Sequence, residues 1–390
     1  MASLDKIRGC FLLGACGDAL GAPLEGVKDL EVIIKAHGEA GLSDLVEFRN
    51  AYDSGKDFPP GRITDDTTMT MTTVAAMAMA RDINDWQELR GLLWQGYLNW
   101  GSFQEGGEPL AEKIDKSIAW PDSAKAFWFY CGAGRGTIAA LMQDEPGSVA
   151  EPLDYDCVIR GKETKGPNAG CGGMMRVAPL ALLDLPAERI FELGCDSAAL
   201  THGDPKAFVA TGAVALLIHF AAQDIDMKEA VRKTCDVLRQ YAARAEYKPG
   251  VEACLLALEH AERQALKAPG DLRTMDALPR DLGYDNAFLA VPVLAQSAYA
   301  LLSAPDSAEA SGIKSAMAVA VSHSGDSDSV GAIVGNVLGA RHGTGVIPKD
   351  WLEMLLQKPD IETMADSLHG VLADMQQDSV VKPRKSAPRL

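Results

Sequence analysis

Residues 62–80, RITDDTTMTMTTVAAMAMA, begin with polar side chains and continue as an apolar, Met- and Ala-rich run. Two adjacent carboxylates, Asp65 and Asp66, stand between the hydroxyls of Thr64 and Thr67. Thr and Asp are favoured at helix N-termini, where acidic groups also suit the helix dipole. The segment therefore predicts a buried helix. Its first turn carries more acceptor oxygens than a helix cap requires, which indicates a further ligand.

The composition limits the class of protein. Of the 390 residues, 47% are apolar, which excludes an intrinsically disordered chain. A net charge of −17 argues against nucleic-acid binding, which needs a basic face. The apolar patch near the N-terminus is short and broken by Gly, so neither a signal peptide nor a membrane span fits. The eight cysteines are scattered without a CxxC pair. We expect a cytoplasmic protein with no nucleic-acid or membrane partner.

Helical periodicity extends over most of the chain, and runs of β-branched residues with alternating polarity are almost absent. These patterns predict an all-α protein with one domain, residues 1–376, and a flexible C-terminal tail, residues 377–390. Three stretches, 23–61, 145–174 and 268–286, are predicted to be irregular. The predicted helical segments are 4–22, 66–81, 85–100, 109–131 in two pieces, 137–144, 176–184, 186–201, 205–222, 226–243, 249–267, 287–303, 307–322, 329–341 and 348–376.

A second acidic cluster, SGDSDS at residues 324–329, also precedes an apolar segment. Side chains two positions apart diverge on a helix, but Asp326 and Asp328 can converge in the turn before one. Carboxylate and hydroxyl oxygens select Mg²⁺, Mn²⁺ or Ca²⁺. The two clusters together predict a shared site for hard cations, with Ser329 as a further oxygen donor. The alternative is that each cluster only caps its own helix.

Three other features allow both a functional and a structural interpretation. Glu25 follows a Gly-Ala-Pro turn and could act as a general acid or base, or be a solvated loop residue. The Gly-rich stretch 170–173 could bind an oxyanion or form ordinary tight turns. His202 lies in a helix-end turn, where histidines often cap.

Ordered motifs along most of the chain resemble those of the ADP-ribosylglycohydrolase family. GDALGAPLE within the opening segment is similar to the family's N-terminal signature, and TDDT is similar to its metal motif. A Gly-rich loop ending in Met-Arg, a short His motif and a C-terminal GDxD-T/S motif follow in the family's order. The five matching segments are GCFLLGACGDALGAPLEG (9–26), PPGRITDDTTM (59–69), AGCGGMMRVAPL (169–180), THGDPKAF (201–208) and HSGDSDSVGAIVGNVLGA (323–340).

The resemblance implies a fold, a cofactor and roles for particular residues. The fold would be a compact orthogonal multi-helix bundle of the ADP-ribosylglycohydrolase type, with two Mg²⁺ (or Mn²⁺) ions. Glu25 would be catalytic. Family members often have Asn where this chain has Cys171, and Thr where it has Ser329. The implied metal ligands are Thr64, Asp65, Asp66, Asp326, Asp328 and Ser329, and the implied substrate-binding residues are Gly170, Cys171, Gly172, Gly173 and His202.

The activity that the resemblance implies is hydrolysis of the glycosidic bond between ADP-ribose and a modified protein side chain. We expect arginine as the first candidate linkage, so that the reaction reverses mono-ADP-ribosylation and releases ADP-ribose. One alternative is a catalytically silent ADP-ribose-binding or structural relative. Another is a hydrolase of a serine-linked or small-molecule conjugate, or an immunity protein against an ADP-ribosylating toxin.

Overall fold

The computed structural model describes residues 2–49, 57–104, 107–304 and 309–381. Helices account for most of the described residues, and the prediction of an all-α fold is confirmed. The α-helices are α1 Leu4–Gly21, α2 Leu30–His37, α3 Asp65–Met79, α4 Trp86–Ser102, α5 Gly107–Ala111, α6 Asp122–Lys125, α7 Arg135–Leu141, α8 Ala178–Ala181, α9 Ala187–Ala199, α10 Pro205–Ala222, α11 Met227–Tyr241, α12 Lys248–Lys267, α13 Leu272–Asp281, α14 Ala290–Ser303, α15 Ala310–Val321, α16 Ser327–His342, α17 Lys349–Met354 and α18 Lys358–Val381.

Two short antiparallel hairpins accompany the helices. The first pairs β1 Phe48–Arg49 with β2 Asp57–Phe58, and the second pairs β3 Asp156–Ile159 with β4 Lys162–Lys165. The second hairpin lies in the stretch 145–174, which was predicted to be irregular. Its two turn residues, Arg160 and Gly161, have φ values of 53° and 69°, the left-handed pair that a two-residue hairpin turn requires.

Two further helices correct the predicted loops. In α2, Leu30 and Ile33 are buried and Asp29 caps the first turn by accepting from the Glu31 N–H. In α13, Asp271 is the N-cap and accepts from the Thr274 N–H, and Pro279 lies inside the helix. Short helices of this kind carry too few turns for periodicity to identify. At the other end of the chain, residues 377–381 of the predicted tail continue α18, and residues 382–390 lie outside the described residues.

Helices α1 and α16 pack against each other along their lengths. The approach is close because glycines face glycines: a Cβ added to Gly17 would collide with the backbone carbonyl of Gly331, and one added to Gly335 with that of Leu13. Such contacts let two helix backbones touch. They bring the end of α1 beside the start of α16, although the two helices are more than 300 residues apart in sequence.

Helix α3 is rich in threonine and almost fully buried. Buried hydroxyls need partners, and these donate to the helix's own carbonyls, four residues back. The pairs are Thr70 to Asp66, Thr72 to Thr68 and Thr73 to Met69. The segment is therefore stable as a core helix despite its β-branched residues.

Helix α10 occupies the centre of the bundle and contacts α9, α12, α14 and α16. Among the described residues it is the one helix long and apolar enough to cross a bilayer, but 83% of it is buried inside the fold. A helix that is apolar on every side is also what the core of a large bundle requires. The core position accounts for its composition.

Candidate active site

A cavity of about 170 Å³ lies where the first turns of α3 and α16 meet the Gly-rich loop 170–173. A larger cavity of about 680 Å³ shares Glu25, Asn168 and Phe288 with it and extends to the β3–β4 hairpin. The smaller cavity is lined by Glu25, Asp65, Asp66, Gly132, Gly134, Gly136, Thr137, Asn168, Gly170, Cys171, Gly172, Met175, His202, Phe288, Asp326, Asp328 and Ser329.

The hydroxyl of Thr64 joins the two acidic clusters. Its Oγ1 lies 3.3 Å from Oδ2 of Asp66 and 3.3 Å from Oδ2 of Asp328. Asp66 and Asp328 are 2% and 3% exposed. Carboxylates from opposite ends of the chain thus converge on one buried oxygen. Either of them alone could be a local capping group, but their convergence is not explained by capping.

Asp326 also makes contacts that capping does not explain. It occupies the N-cap position of α16, yet its side chain makes no capping hydrogen bond to that helix. Instead, the thiol of Cys171 donates to its Oδ2 over 2.7 Å. The backbone N–H of Ser329 donates to Oδ1 of Asp328 over 3.0 Å. The acidic side chains of this turn therefore face the cavity.

Asp18 is a fully buried carboxylate of α1 for which the sequence predicted no role. It accepts hydrogen bonds from the backbone N–H groups of Thr64 and Thr67 and from the Thr67 hydroxyl. It therefore caps α3 from another helix and fixes the turn that carries Asp65 and Asp66. The signal in the sequence was its place in the GDALGAPLE segment, seven residues before Glu25.

The clustered carboxylates raise one another's pKa values. Burial, and then the charges of Asp326 and Asp65, raise the pKa of Glu25 to about 8. Burial and nearby carboxylates likewise raise the pKa of Asp65 to about 8 and that of Asp66 well above its ordinary value. Protons or cations must offset this charge for the site to persist.

The Gly-rich loop packs against His202. A Cβ at Gly172 would stand 3.1 Å from the imidazole Nε2, which is closer than an ordinary contact, so glycine lets the ring approach without a shift. Gly170 donates its N–H to Oδ1 of Asn168, which precedes the loop. Gly173 does not line the cavity; it packs on Ala198.

A buried hydrogen-bond chain sets the protonation of His202. Arg176 donates from Nη2 to Oγ1 of Thr201 over 2.8 Å, and this hydroxyl lies 2.8 Å from Nδ1 of His202. Burial and the charge of Arg176 lower the pKa of His202 well below its usual range, so the imidazole is neutral. Because the Thr201 hydroxyl accepts from Arg176, we expect it to donate to Nδ1, which would leave the ring proton on Nε2, the nitrogen that faces the loop.

All of the predicted site residues except Thr64 and Gly173 line the cavity. The hydroxyl of Thr64 contacts two of the lining side chains, those of Asp66 and Asp328. Sequence reasoning missed several lining residues. Asn168 and Phe288 flank the Gly-rich loop, and Ala290 at the start of α14 donates its N–H to the Ala169 carbonyl. Only Asn168 gave a sequence signal, by its position beside the loop.

The donor atoms suit a hard divalent cation. Oδ1 of Asp66 is buried and makes no hydrogen bond in the described structure, although buried carboxylate oxygens normally have partners. Within the described ranges, no three His, Cys, Asp or Glu side chains are arranged so that they could hold a metal ion by themselves. The surrounding set is carboxylate and hydroxyl oxygen, which Mg²⁺ and Mn²⁺ prefer. An ion binding here would give this orphaned oxygen a partner.

Comparison with known proteins agrees with the geometry. The chain is 23% identical over 397 residues to ADP-ribosylhydrolase ARH3 of Mus musculus, covering 95% of this chain and 93% of that protein. It is 25% identical over 370 residues to an uncharacterised protein of Archaeoglobus fulgidus, covering 94% and 96%. A solved structure described as an ADP-ribosylglycohydrolase-related protein complex aligns with a TM-score of 0.58 at 22% identity, covering 95% and 98%.

A family model described as ADP-ribosylglycohydrolase matches residues 1–378, nearly the whole chain. The motifs that carry this match are the ones whose side chains the fold gathers at one cavity. The family consists of glycohydrolases that are generally metal-dependent, and it supports ADP-ribosyl hydrolase activity. The chain belongs to the ADP-ribosylglycohydrolase family.

Proposed function

We propose that the protein hydrolyses the glycosidic bond between ADP-ribose and an arginine side chain of a modified protein. Two Mg²⁺ or Mn²⁺ ions would assist the reaction. The observation that carries the proposal is the Thr64 hydroxyl, which lies 3.3 Å from carboxylate oxygens of both Asp66 and Asp328. A silent binding protein would have no need of this concentration of buried negative charge.

The two acidic turns would hold the cations. When bound, such ions supply Lewis acidity to oxygen atoms of the substrate and of water. The oxygen donors converge without a compensating positive side chain among the residues lining the cavity, which supports this assignment. The proposed ligands are Thr64, Asp65, Asp66, Asp326, Asp328 and Ser329.

Glu25 would move the proton. Its carboxyl lines both cavities, and burial raises its pKa to about 8, so it holds a proton near neutral pH. A nearby cation would lower this pKa toward neutrality. A group poised in this way can protonate the leaving nitrogen or take a proton from the attacking water. Cleavage at the anomeric carbon proceeds with oxocarbenium-like character.

The Gly-rich loop and His202 would bind the diphosphate. The Nε2 atom of His202 lies beside the loop, and the backbone N–H groups of residues 171 and 172 would add further donors. Anion binding must be local in a protein of net charge −17. The larger cavity has Arg135, Arg160 and Lys165 among its lining residues, which supports the placing of the anionic part of the substrate on that side.

Arginine as the linked side chain is supported by charge. A guanidinium leaving group is cationic, and Glu25 and Asp65 are both half-buried carboxylates that face the cavity. Once bound cations lower the pKa values of these two carboxyl groups, their negative charge would favour a cationic group over the neutral hydroxyl of serine. The substrate would then be an arginine-ADP-ribosylated protein, and ADP-ribose the product.

The test is release of ADP-ribose from arginine-linked and serine-linked proteins, measured by mass spectrometry with Mg²⁺ and with EDTA. Asp326→Ala is expected to abolish release, because a ligand of the proposed centre is lost. Asp85→Ala is the matched control: Asp85 is also an acidic N-cap residue, of α4, but is exposed and outside both cavities. Normal hydrolysis by Asp326→Ala would refute the metal assignment, and faster release from serine would refute the arginine linkage.

A further inference from the structure

The Cys171 side chain places sulfur among the oxygen donors. Its Sγ lies 2.7 Å from Oδ2 of Asp326 and 3.7 Å from Oγ of Ser329. The side chain is 7% exposed and lines the smaller cavity. The thiol therefore contacts two proposed ligands on the side of the centre that α16 supplies.

A second observation indicates that this cavity takes a cation. Oδ1 of Asp66 is buried and makes no hydrogen bond among the described residues, and Asp66 lines the same cavity. This oxygen is independent of the thiol, because it belongs to α3 and Cys171 to the loop before α8. A cation bound between α3 and α16 would lie near both Asp66 Oδ1 and Cys171 Sγ.

We infer that Cys171 is itself a metal ligand, and that the centre binds a thiophilic divalent cation such as Zn²⁺ or Cd²⁺ more tightly than Mg²⁺. Thiolate sulfur selects Zn²⁺ and similar ions, whereas Mg²⁺ takes oxygen ligands only. On binding, the S–H bond breaks, an S–metal bond forms and the proton leaves to bulk water, with no change of oxidation state. This inference rests on the proposed function, because it concerns the same centre.

A consequence for activity follows from the different geometry of the two ions. Zn²⁺ favours four ligands in a tetrahedron, whereas Mg²⁺ favours six in an octahedron. Zn²⁺ held by Cys171 and Asp326 would therefore compete with Mg²⁺ without reproducing its arrangement. Zn²⁺ is expected to inhibit Mg²⁺-dependent hydrolysis, and the Cys171 thiol would make the enzyme sensitive to thiophilic metals.

The experiment is titration of metal-free protein with Cd²⁺, followed by the sulfur-to-cadmium charge-transfer absorption in the ultraviolet and by calorimetry. The first equivalent is expected to give the band of one thiolate in the native protein and no band in Cys171→Ser. Zn²⁺ affinity should fall about 10-fold or more in that variant, with Mg²⁺ affinity little changed. Cys157→Ser is the matched control, because that half-buried thiol lies on β3 outside the cavity and should not alter the first-equivalent band.

Two results would overturn the inference: no charge-transfer band with the first equivalent, or a band of undiminished size in Cys171→Ser. Cys171→Ala, which leaves no hydroxyl against Asp326, repeats the measurement should the serine variant fail to fold. The proposed function is tested separately, by measuring Mg²⁺-dependent release of ADP-ribose from a modified substrate by the native protein. A native protein that hydrolyses without a cadmium band refutes the cysteine ligand alone. A cadmium band without hydrolysis refutes the proposed reaction and leaves the ligand standing.

Discussion

At the scale of single residues, the site depends on carboxylates that are buried before any cation is bound. Asp18 is fully buried, and the hydrogen bonds from Thr67 and Thr64 only partly offset the effect of burial, so its pKa is raised to about 6. Asp18 thus has its own donors, whereas Oδ1 of Asp66 has none. The first carboxylate positions the turn, and the second is available to a ligand.

Glu25→Gln separates catalysis from binding. Gln keeps the size and the polar atoms but cannot exchange a proton, so turnover should fall by about 10²- to 10⁴-fold. Affinity for ADP-ribose should stay within a few-fold of the native value. Steady-state release of ADP-ribose and calorimetric titration with ADP-ribose measure the two quantities. Unchanged turnover would mean that Glu25 takes no part in the reaction, as expected for a protein that only binds ADP-ribose.

Thr201→Val tests whether Arg176 and Thr201 fix the tautomer of His202. The variant removes one of the two acceptors of Arg176 Nη2, leaving the Ser197 carbonyl, and it removes the hydroxyl that contacts His202 Nδ1. The free energy of unfolding should fall by about 1–3 kcal/mol, and binding of ADP-ribose should weaken. Nitrogen-15 NMR should show His202 protonated on Nε2 in the native protein and mixed in the variant.

Thr234→Val is the matched control for that change. Thr234 is fully buried on α11, but its Oγ1 has no hydrogen-bond partner in the described structure. Its loss should therefore be nearly neutral or slightly stabilising. Thr201→Ser should restore the native tautomer, because it restores the hydroxyl. If Thr201→Val leaves the His202 spectrum unchanged, the relay does not set the tautomer.

At the scale of elements, the sequence predicted most of the long helices. It did not predict that a side chain of one helix caps the N-terminus of another. The first turn of α3 was predicted from its Thr and Asp residues, and Thr64 is its N-cap. The carboxylate that caps Thr67 is Asp18, 49 residues earlier and on another helix, and no local pattern can show a partner at that distance. The β3–β4 hairpin was not predicted for a related reason. Its strands have only four residues each, and they form because they pair with each other.

The acidic clusters were predicted to share a site, and the structure brings them together. Their approach depends on the packing of α1 against α16, which glycines on both helices allow. Periodicity identifies a face of small residues, but it does not identify the helix that packs on it. The position of Gly331 opposite Gly17 is a feature of the tertiary structure, which periodicity along one helix does not reveal.

Gly17→Ala should disturb this contact. The added methyl meets the Gly331 carbonyl, and overpacking of this kind costs about 1–3 kcal/mol of unfolding free energy. Because Asp18 is the next residue, Mg²⁺ affinity should fall as well. The control, Gly91→Ala, lies on an exposed face of α4 with nothing within 4 Å of the new Cβ. It should raise stability by about 0.5–1 kcal/mol. Urea unfolding measures the free energy of unfolding of both variants. Equal changes in the two would show that the α1–α16 contact accommodates an added methyl group.

At the scale of the whole molecule, an acidic protein concentrates several of its carboxylates at one internal cavity. The net charge of −17 supplies no compensation, and burial strengthens the repulsion. The fold tolerates the arrangement because it is anchored elsewhere: α10 and its neighbours form a contiguous apolar core. Burying these carboxylates costs free energy. A bound cation would offset that cost by neutralising their charge.

Stability should therefore depend on pH and on divalent cations together. The pKa values of Glu25 and Asp65 are raised from 4.5 and 3.8 in the unfolded chain to about 8 in the fold. Between these values the folded state holds more protons than the unfolded state, so stability falls as the pH rises from about 4 to about 8. In EDTA, the Tm should decline over that window by more than it does in excess Mg²⁺.

The Mg²⁺-induced rise in Tm should be larger at pH 8 than at pH 5, because protons occupy the carboxylates at the lower pH and compete with the cation. Asp328→Asn serves as the control, since it removes one of the repelling charges. In EDTA at pH 8 this variant should be more stable than the native protein, and Mg²⁺ should raise its Tm little. Differential scanning calorimetry of both proteins measures the effect. A Tm rise that is equal at the two pH values, or that Asp328→Asn retains in full, would mean that the cation binds elsewhere.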